Sequence, residues 1–213
     1  MGSQLQEAQR KVLRNTYTLL AMTLAFSGLV AYVTAIMRLP YPGMLITMVG
    51  YFGLLFAVTK CRNSGAGVAL VFALTGFMGY TLGPIIGMFM GYAAGVQILL
   101  MATGGTAIIF FAMSAIALTS RRDFSFMGNF LCIGALVAFL AGLAAVFFNM
   151  PVLSLAVSAA FLLIASGLIL YETNAIVRGG ETNYVMATVS LYISIYNLFV
   201  SLLSILSAFN GDD

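Results

Sequence analysis

Apolar residues fall into seven long runs along this chain, parted by short polar or proline- and glycine-containing breaks. A helical residue rises 1.5 Å, so a run of about 20 residues covers the roughly 30 Å core of a bilayer. The runs predict membrane-spanning helices near 16–37, 43–59, 68–90, 96–118, 128–148, 152–177 and 184–208. The expected fold class is an all-α integral membrane protein, a bundle of seven transmembrane helices. Residues 1–15 form a short polar tail, 16–209 the membrane domain and 210–213 a second short tail. The first run is too long for the apolar core of a signal peptide, about 7–15 residues, and is taken as the first span.

The last run, YVMATVSLYISIYNLFVSLLSILSA, has no charge but is not uniformly apolar. Ala187, Ser190, Ser194, Asn197, Ser201 and Ser204 recur at steps of three and four, which puts them on one side of a helix. Leu191, Ile195, Leu198 and Leu202 on one flank, and Tyr192, Tyr196 and Phe199 on the other, supply apolar bulk. A helix clothed in this way is expected at the centre of the bundle. Small residues let neighbouring backbones approach, and Ser or Asn can hydrogen-bond between helices. The stripe reads either as packing, through Ser190, Ser201 and Ser204, or as the lining of an ion or proton path.

The third run contains TGFMGYTLGPIIGMFMGY, in which Gly79, Gly83, Gly87, Gly91 and Gly95 lie four apart. A glycine ladder of this kind brings another helix close. Pro84 lacks a backbone donor inside it, so a kink is expected there, either structural or one that opens and closes. Gly179 and Gly180 read as the stop of the sixth helix, with Arg178 favourably placed at its negative end and Glu181 near the positive end of the seventh.

Composition changes the picture by exclusion. With 62% hydrophobic and 7% charged residues, the chain cannot be a soluble domain, where charged residues are usually near 25%. Of the nine Lys and Arg residues only Arg38 falls in a break on the opposite side from the others. That asymmetry predicts a cytoplasmic N-terminus and an outside C-terminus. The net charge of +3 is too small and dispersed for nucleic-acid binding.

There is no histidine, which removes Ser-His and Cys-His catalysis and His-based zinc sites. Cys61 and Cys132 lie on different segments in surroundings that suggest neither a disulfide nor a metal site. Lys11 and Lys60 flank spans, so a retinal Schiff base is excluded, and Asp123, Asp212 and Asp213 lie outside the spans, where they cannot form an intramembrane aspartyl pair. No enzyme and no cofactor are expected. Glu172 in LILYETNAIV is the exception among the charges, because an ionisable group at membrane depth suggests by default a proton or ion role. Ser158 and Ala165 share its face at steps of seven. The competing reading is an interfacial glutamate that reaches water or pairs with Arg178.

KVLRNTYTLL at the first span, TGFMGYTLGPI in the third and above all GGETNYVMATVSLYISIYNLFVSLLSIL closely resemble the Bax-inhibitor-like family of membrane proteins. The likeness covers nearly the whole chain after the first dozen residues. It implies six helices around a central seventh in the inner membrane. It also implies a partner, since bacterial members are associated with FtsH, a membrane-anchored ATP-dependent protease that they restrain. The wider family implies an alternative, a pH-sensitive leak with calcium or a proton as the permeant ion, governed by two acidic residues on the last two helices. By position the first is Glu172 and the second falls at Ser194, where this chain departs from aspartate. Glu172, Ser194 and Asn197 are therefore the candidate ion- or proton-sensing residues. Two carboxylates can share a proton and repel when it leaves; a carboxylate facing a hydroxyl does not repeat that switch.

A ring-shaped ATPase must grip a flexible segment before it extracts a membrane protein. The polar leader, if extended at about 3.5 Å per residue, would reach roughly 50 Å and serve as the handle; the alternative is that the membrane bundle docks beside the helices of the protease.

Overall fold

The computed structural model describes residues 2–92, 94–120 and 122–210; the second short tail after Asn210, and Arg121, lie outside the described residues. It is 87% helical without strands among those residues, and consists of α1 (Gly2–Ile36), α2 (Met44–Cys61), α3 (Gly65–Met90), α4 (Gly95–Thr119), α5 (Met127–Phe147), α6 (Pro151–Arg178) and α7 (Tyr184–Asn210). All seven are long and apolar enough to cross a membrane. The span limits differ from the hydropathy reading by a few residues, with one exception. The polar leader is not a separate tail but the first turns of α1, and as a helix 15 residues reach only about 22 Å.

Two compact units divide the chain. The first comprises residues 1–96 and 181–192, hence α1, α2, α3 and the start of α7; the second comprises 97–180 and 193–213, hence α4, α5, α6 and the rest of α7.

In the first unit α1 packs most extensively on α3, and α2 also packs on α3. The glycine ladder is the reason the first pair can approach so closely. A Cβ on Gly79 would collide with the carbonyl and hydroxyl of Ser27, and one on Gly83 with the Thr34 hydroxyl. A Cβ on Gly87 would stand 3.5 Å from the Ala35 carbonyl. Ser27, Ala31 and Ala35 are themselves four apart, so a small-residue row on α1 meets the glycine row on α3. The row of five ends early, however. Gly91 caps α3 and Gly95 opens α4, so only the first three rungs belong to one helix face. Helix α3 continues through Pro84, which cannot donate a backbone hydrogen bond.

Within this unit Tyr192 joins three helices. It is 2% exposed, and its hydroxyl donates to the Thr75 carbonyl of α3 at 3.2 Å and meets Ser27 Oγ of α1 at 2.5 Å. A carbonyl can only accept, so the phenolic proton goes to Thr75 and Ser27 donates to the phenolic oxygen. Thr188 Oγ1 donates to the Tyr184 carbonyl of its own helix at 2.7 Å and lies 3.3 Å from the Thr16 carbonyl of α1, a weaker shared contact between the two helices.

The second unit packs α5 on α6. Tyr171 lies over Gly128 and Leu131 over Gly167, so the same device of a large side chain against a glycine operates in both directions. Outward faces are apolar: Leu45, Val49, Phe52 and Phe56 form an exposed stripe on α2, as do Phe130, Ile133, Val137 and Leu140 on α5. Exposed apolar area on this scale fits acyl chains as its solvent.

Candidate functional site

The second unit holds the one acid that the sequence places at membrane depth. Glu172 stands on α6 two turns before its C-terminus, and Ser194 stands on α7, 1% exposed. Ser194 Oγ donates to Glu172 Oε2 at 3.5 Å, at the long limit of a hydrogen bond. Fourteen residues earlier on α6, Ser158 Oγ donates to Ser204 Oγ of α7 at 3.0 Å. Ala165, between them at steps of seven, is buried. The face of Ser158, Ala165 and Glu172 thus runs antiparallel along the serine face of α7. Ser201 is buried and Ser204 half-buried on this stretch, and Asn197 is half-buried one turn beyond Ser194. Ser190 falls in the part of α7 that belongs to the first unit and is half-buried there.

The arrangement has a definite chemical capacity. One carboxylate and one hydroxyl provide at most a single negative charge, with one donor to stabilise it. The structure thereby brings two of the three expected sensing residues together and separates the predicted packing residues between two tasks. Gly79, Gly83 and Gly87 seat α1, whereas Ser204 bonds α6.

Two asparagines that the sequence reading passed over organise the ends of these helices. Asn174, on α6 and 2% exposed, accepts from the Phe124 backbone N–H at 3.2 Å and donates to the Arg122 carbonyl at 3.3 Å. It fixes the turn between α4 and α5. In that turn the Ser125 hydroxyl and backbone N–H hold the Asp123 carboxyl below the ordinary carboxylate range. Asn183 does the corresponding work in the first unit. Its Oδ1 accepts from the N–H groups of Val185 and Met186 at 3.0 and 3.1 Å, which caps α7. Its Nδ2 donates to the Arg62 carbonyl at 3.2 Å and to Asn63 Oδ1 at 2.8 Å, in the turn between α2 and α3. Glu181 adds a bond to the Asn183 N–H at 2.7 Å. The legible signal was the tripeptide Glu-Thr-Asn, which occurs at 172–174 and again at 181–183, each time ending on the asparagine that holds an arginine-containing turn.

Asn183→Ala removes the cap and the cross-turn bonds together, and should cost about 1–2 kcal/mol. Thermal unfolding of the detergent-purified variant measures it.

Residues 9–211 match the family described as inhibitor of apoptosis-promoting Bax1. The chain belongs to that family. Within the Bax1-inhibitor family, similar curated proteins cover the chain almost end to end. An uncharacterised Pseudomonas aeruginosa protein is 54% identical over 95% of this chain and 91% of its own length. The Escherichia coli K12 protein named modulator of FtsH protease YccA is 50% identical over 95% of this chain and 92% of its own. A Vibrio cholerae membrane protein is 42% identical over 95% and 92% respectively. Membership and the seven spans agree with what the three quoted motifs imply.

Proposed function

We propose that this protein is an inner-membrane partner that binds an FtsH-type ATP-dependent membrane protease and restrains it. The observation that carries the reading is the 50% identity, over nearly the full length of both chains, with the Escherichia coli protein named as a modulator of that protease. A relative of the same similarity from another Escherichia coli strain is named an inner membrane protein, which supports the location. The positive residues then face the cytoplasm, where the ATPase ring works.

The geometry supplies a reason for restraint. A ring that pulls on the N-terminal end of α1 must first unwind helix and then draw α1 away from α3, whose glycine row admits the Ser27 and Ala31 carbonyls in direct backbone contact. The basic turns offer little slack, because Asn183 and Asn174 hold their carbonyls. An engaged body that resists extraction occupies the protease and spares other substrates.

The test uses the full chain and a variant lacking residues 2–13, each co-expressed with the protease and an unrelated short-lived membrane substrate. The full chain should lengthen the substrate's half-life several-fold and co-purify with the protease from detergent extract. The deletion should return the half-life toward that of cells without either form. Equal protection by both forms would exclude the start of α1 as the handle, and protection by neither would exclude restraint.

A further inference from the structure

Among the described residues three helices end in the same hydrogen-bonded turn, and one of them ends on the wrong kind of residue. At the end of α6, Gly180 N–H reaches the Ala175 carbonyl at 2.8 Å and Gly179 N–H the Ile176 carbonyl at 3.1 Å, with Gly179 at φ 78°. At the end of α5 the same pair of bonds runs from Met150 to Ala145 and from Asn149 to Val146, with Asn149 at φ 49°. Glycine and asparagine are the residues that tolerate this left-handed position. At the end of α1 the bonds run from Leu39 to Thr34 and from Arg38 to Ala35, both at 3.1 Å, and the left-handed residue is Arg38 at φ 50°. A long side chain is disfavoured there. An arginine that persists at a glycine position points to a use for its charge.

Arg38 borders a cleft of about 690 Å³ in the first unit, between the ends of α1 and α3 and the loop that leads into α2. Its walls are apolar and aromatic, with Ile36, Met88 and Met90 exposed on the helix ends and Tyr41 and Tyr92 at the rim. The loop is held in place, since the Tyr80 hydroxyl donates to the Pro40 carbonyl at 3.0 Å. In this unit the described acids, Glu7 and Glu181, stand at the opposite end, at the starts of α1 and α7, so neither meets Arg38. Tyrosines at the end of a span mark the headgroup level of a bilayer. The cleft therefore presents a cation at headgroup depth above apolar walls at acyl depth.

We propose that this cleft binds an anionic glycerophospholipid, with Arg38 on the phosphate and the acyl chains along Ile36 and Met88. A guanidinium matches phosphate oxygens in geometry as well as charge, and the sulfur-containing walls adapt to a flexible chain.

The chain has no tryptophan, so Tyr92→Trp installs a single reporter at the rim of the cleft. The full-length variant in nanodiscs of mixed phosphatidylglycerol and phosphatidylcholine is measured with bromine on the acyl chains of one lipid or the other. Bromine quenches tryptophan only in contact. Brominated phosphatidylglycerol should quench with about fivefold preference, the discrimination that one arginine gives an anionic lipid. Adding Arg38→Gly should abolish the preference, while the melting temperature stays level or rises because glycine suits the left-handed turn. Arg38→Lys should keep most of it. Equal quenching by the two lipids, or a preference that survives Arg38→Gly, would overturn the proposal. So would loss of the preference to excess inorganic phosphate, which would assign the site to a free anion.

Discussion

Gly79→Ala should destabilise the first unit by about 3 kcal/mol, because the added methyl group lands on a backbone carbonyl that cannot rotate away. Its nearest neighbour would be the Ser27 carbonyl of α1, and the Ser27 hydroxyl beside it is already committed to Tyr192 at 2.5 Å. Relief therefore requires α1 to move off α3, which also lengthens the bond that joins both to α7. Gly53→Ala on α2 is the control. Nothing lies within 4 Å of its added Cβ, so its melting temperature should scarcely change. Thermal unfolding in detergent measures both. The same pair tests restraint in the cell. If resistance to extraction is what occupies the protease, Gly79→Ala should turn the protein from a restrainer into a short-lived substrate, whereas Gly53→Ala should remain long-lived.

Span number and position were legible because a bilayer demands about 20 apolar residues in succession, and each run from 16–37 to 184–208 meets that demand. Partners were not. Small residues on α3 announce a close approach without saying from which helix, and the answering row of Ser27, Ala31 and Ala35 is hidden by the apolar bulk around it. Gly91 and Gly95 kept the four-residue spacing by coincidence of a turn, which periodicity alone does not detect. The leader misled for a related reason. Hydropathy marks where a helix enters lipid, not where it starts, and Glu7, Arg10, Lys11 and Arg14 are good helix formers in water. Tyr192 read as bulk because its ring is apolar, while its hydroxyl carries the three-helix junction. Glu172 was conspicuous as a charge within an apolar run. Its neighbour Ser194 came from resemblance at a distance of 22 positions, a pairing no local pattern encodes.

Ser194→Asp should create what this chain lacks, and the expected effect is large. The substitution sets a second carboxylate opposite Glu172, at a separation comparable to the 3.5 Å that Ser194 Oγ now keeps. Two like charges about 4 Å apart repel by about 4 kcal/mol at an effective dielectric near 20. The pair must then share a proton, bind a cation or separate α6 from α7, and a divalent cation relieves the most repulsion. In liposomes with an imposed calcium gradient, the native protein and Glu172→Gln should leak equally slowly. Ser194→Asp should leak faster, and the double variant Glu172→Gln, Ser194→Asp should return to the native rate. If the native protein conducts and Glu172→Gln abolishes the flux, a single carboxylate beside a hydroxyl is sufficient for a leak, and that activity takes precedence over restraint of a protease. Slow flux in the native protein together with a calcium-dependent leak in Ser194→Asp would instead locate in one side chain the difference from the two-acid arrangement that the family resemblance implies for a leak. The pairing of Ser158 with Ser204 at 3.0 Å, further along the same face, would then be the contact that keeps α6 and α7 closed when no second charge drives them apart.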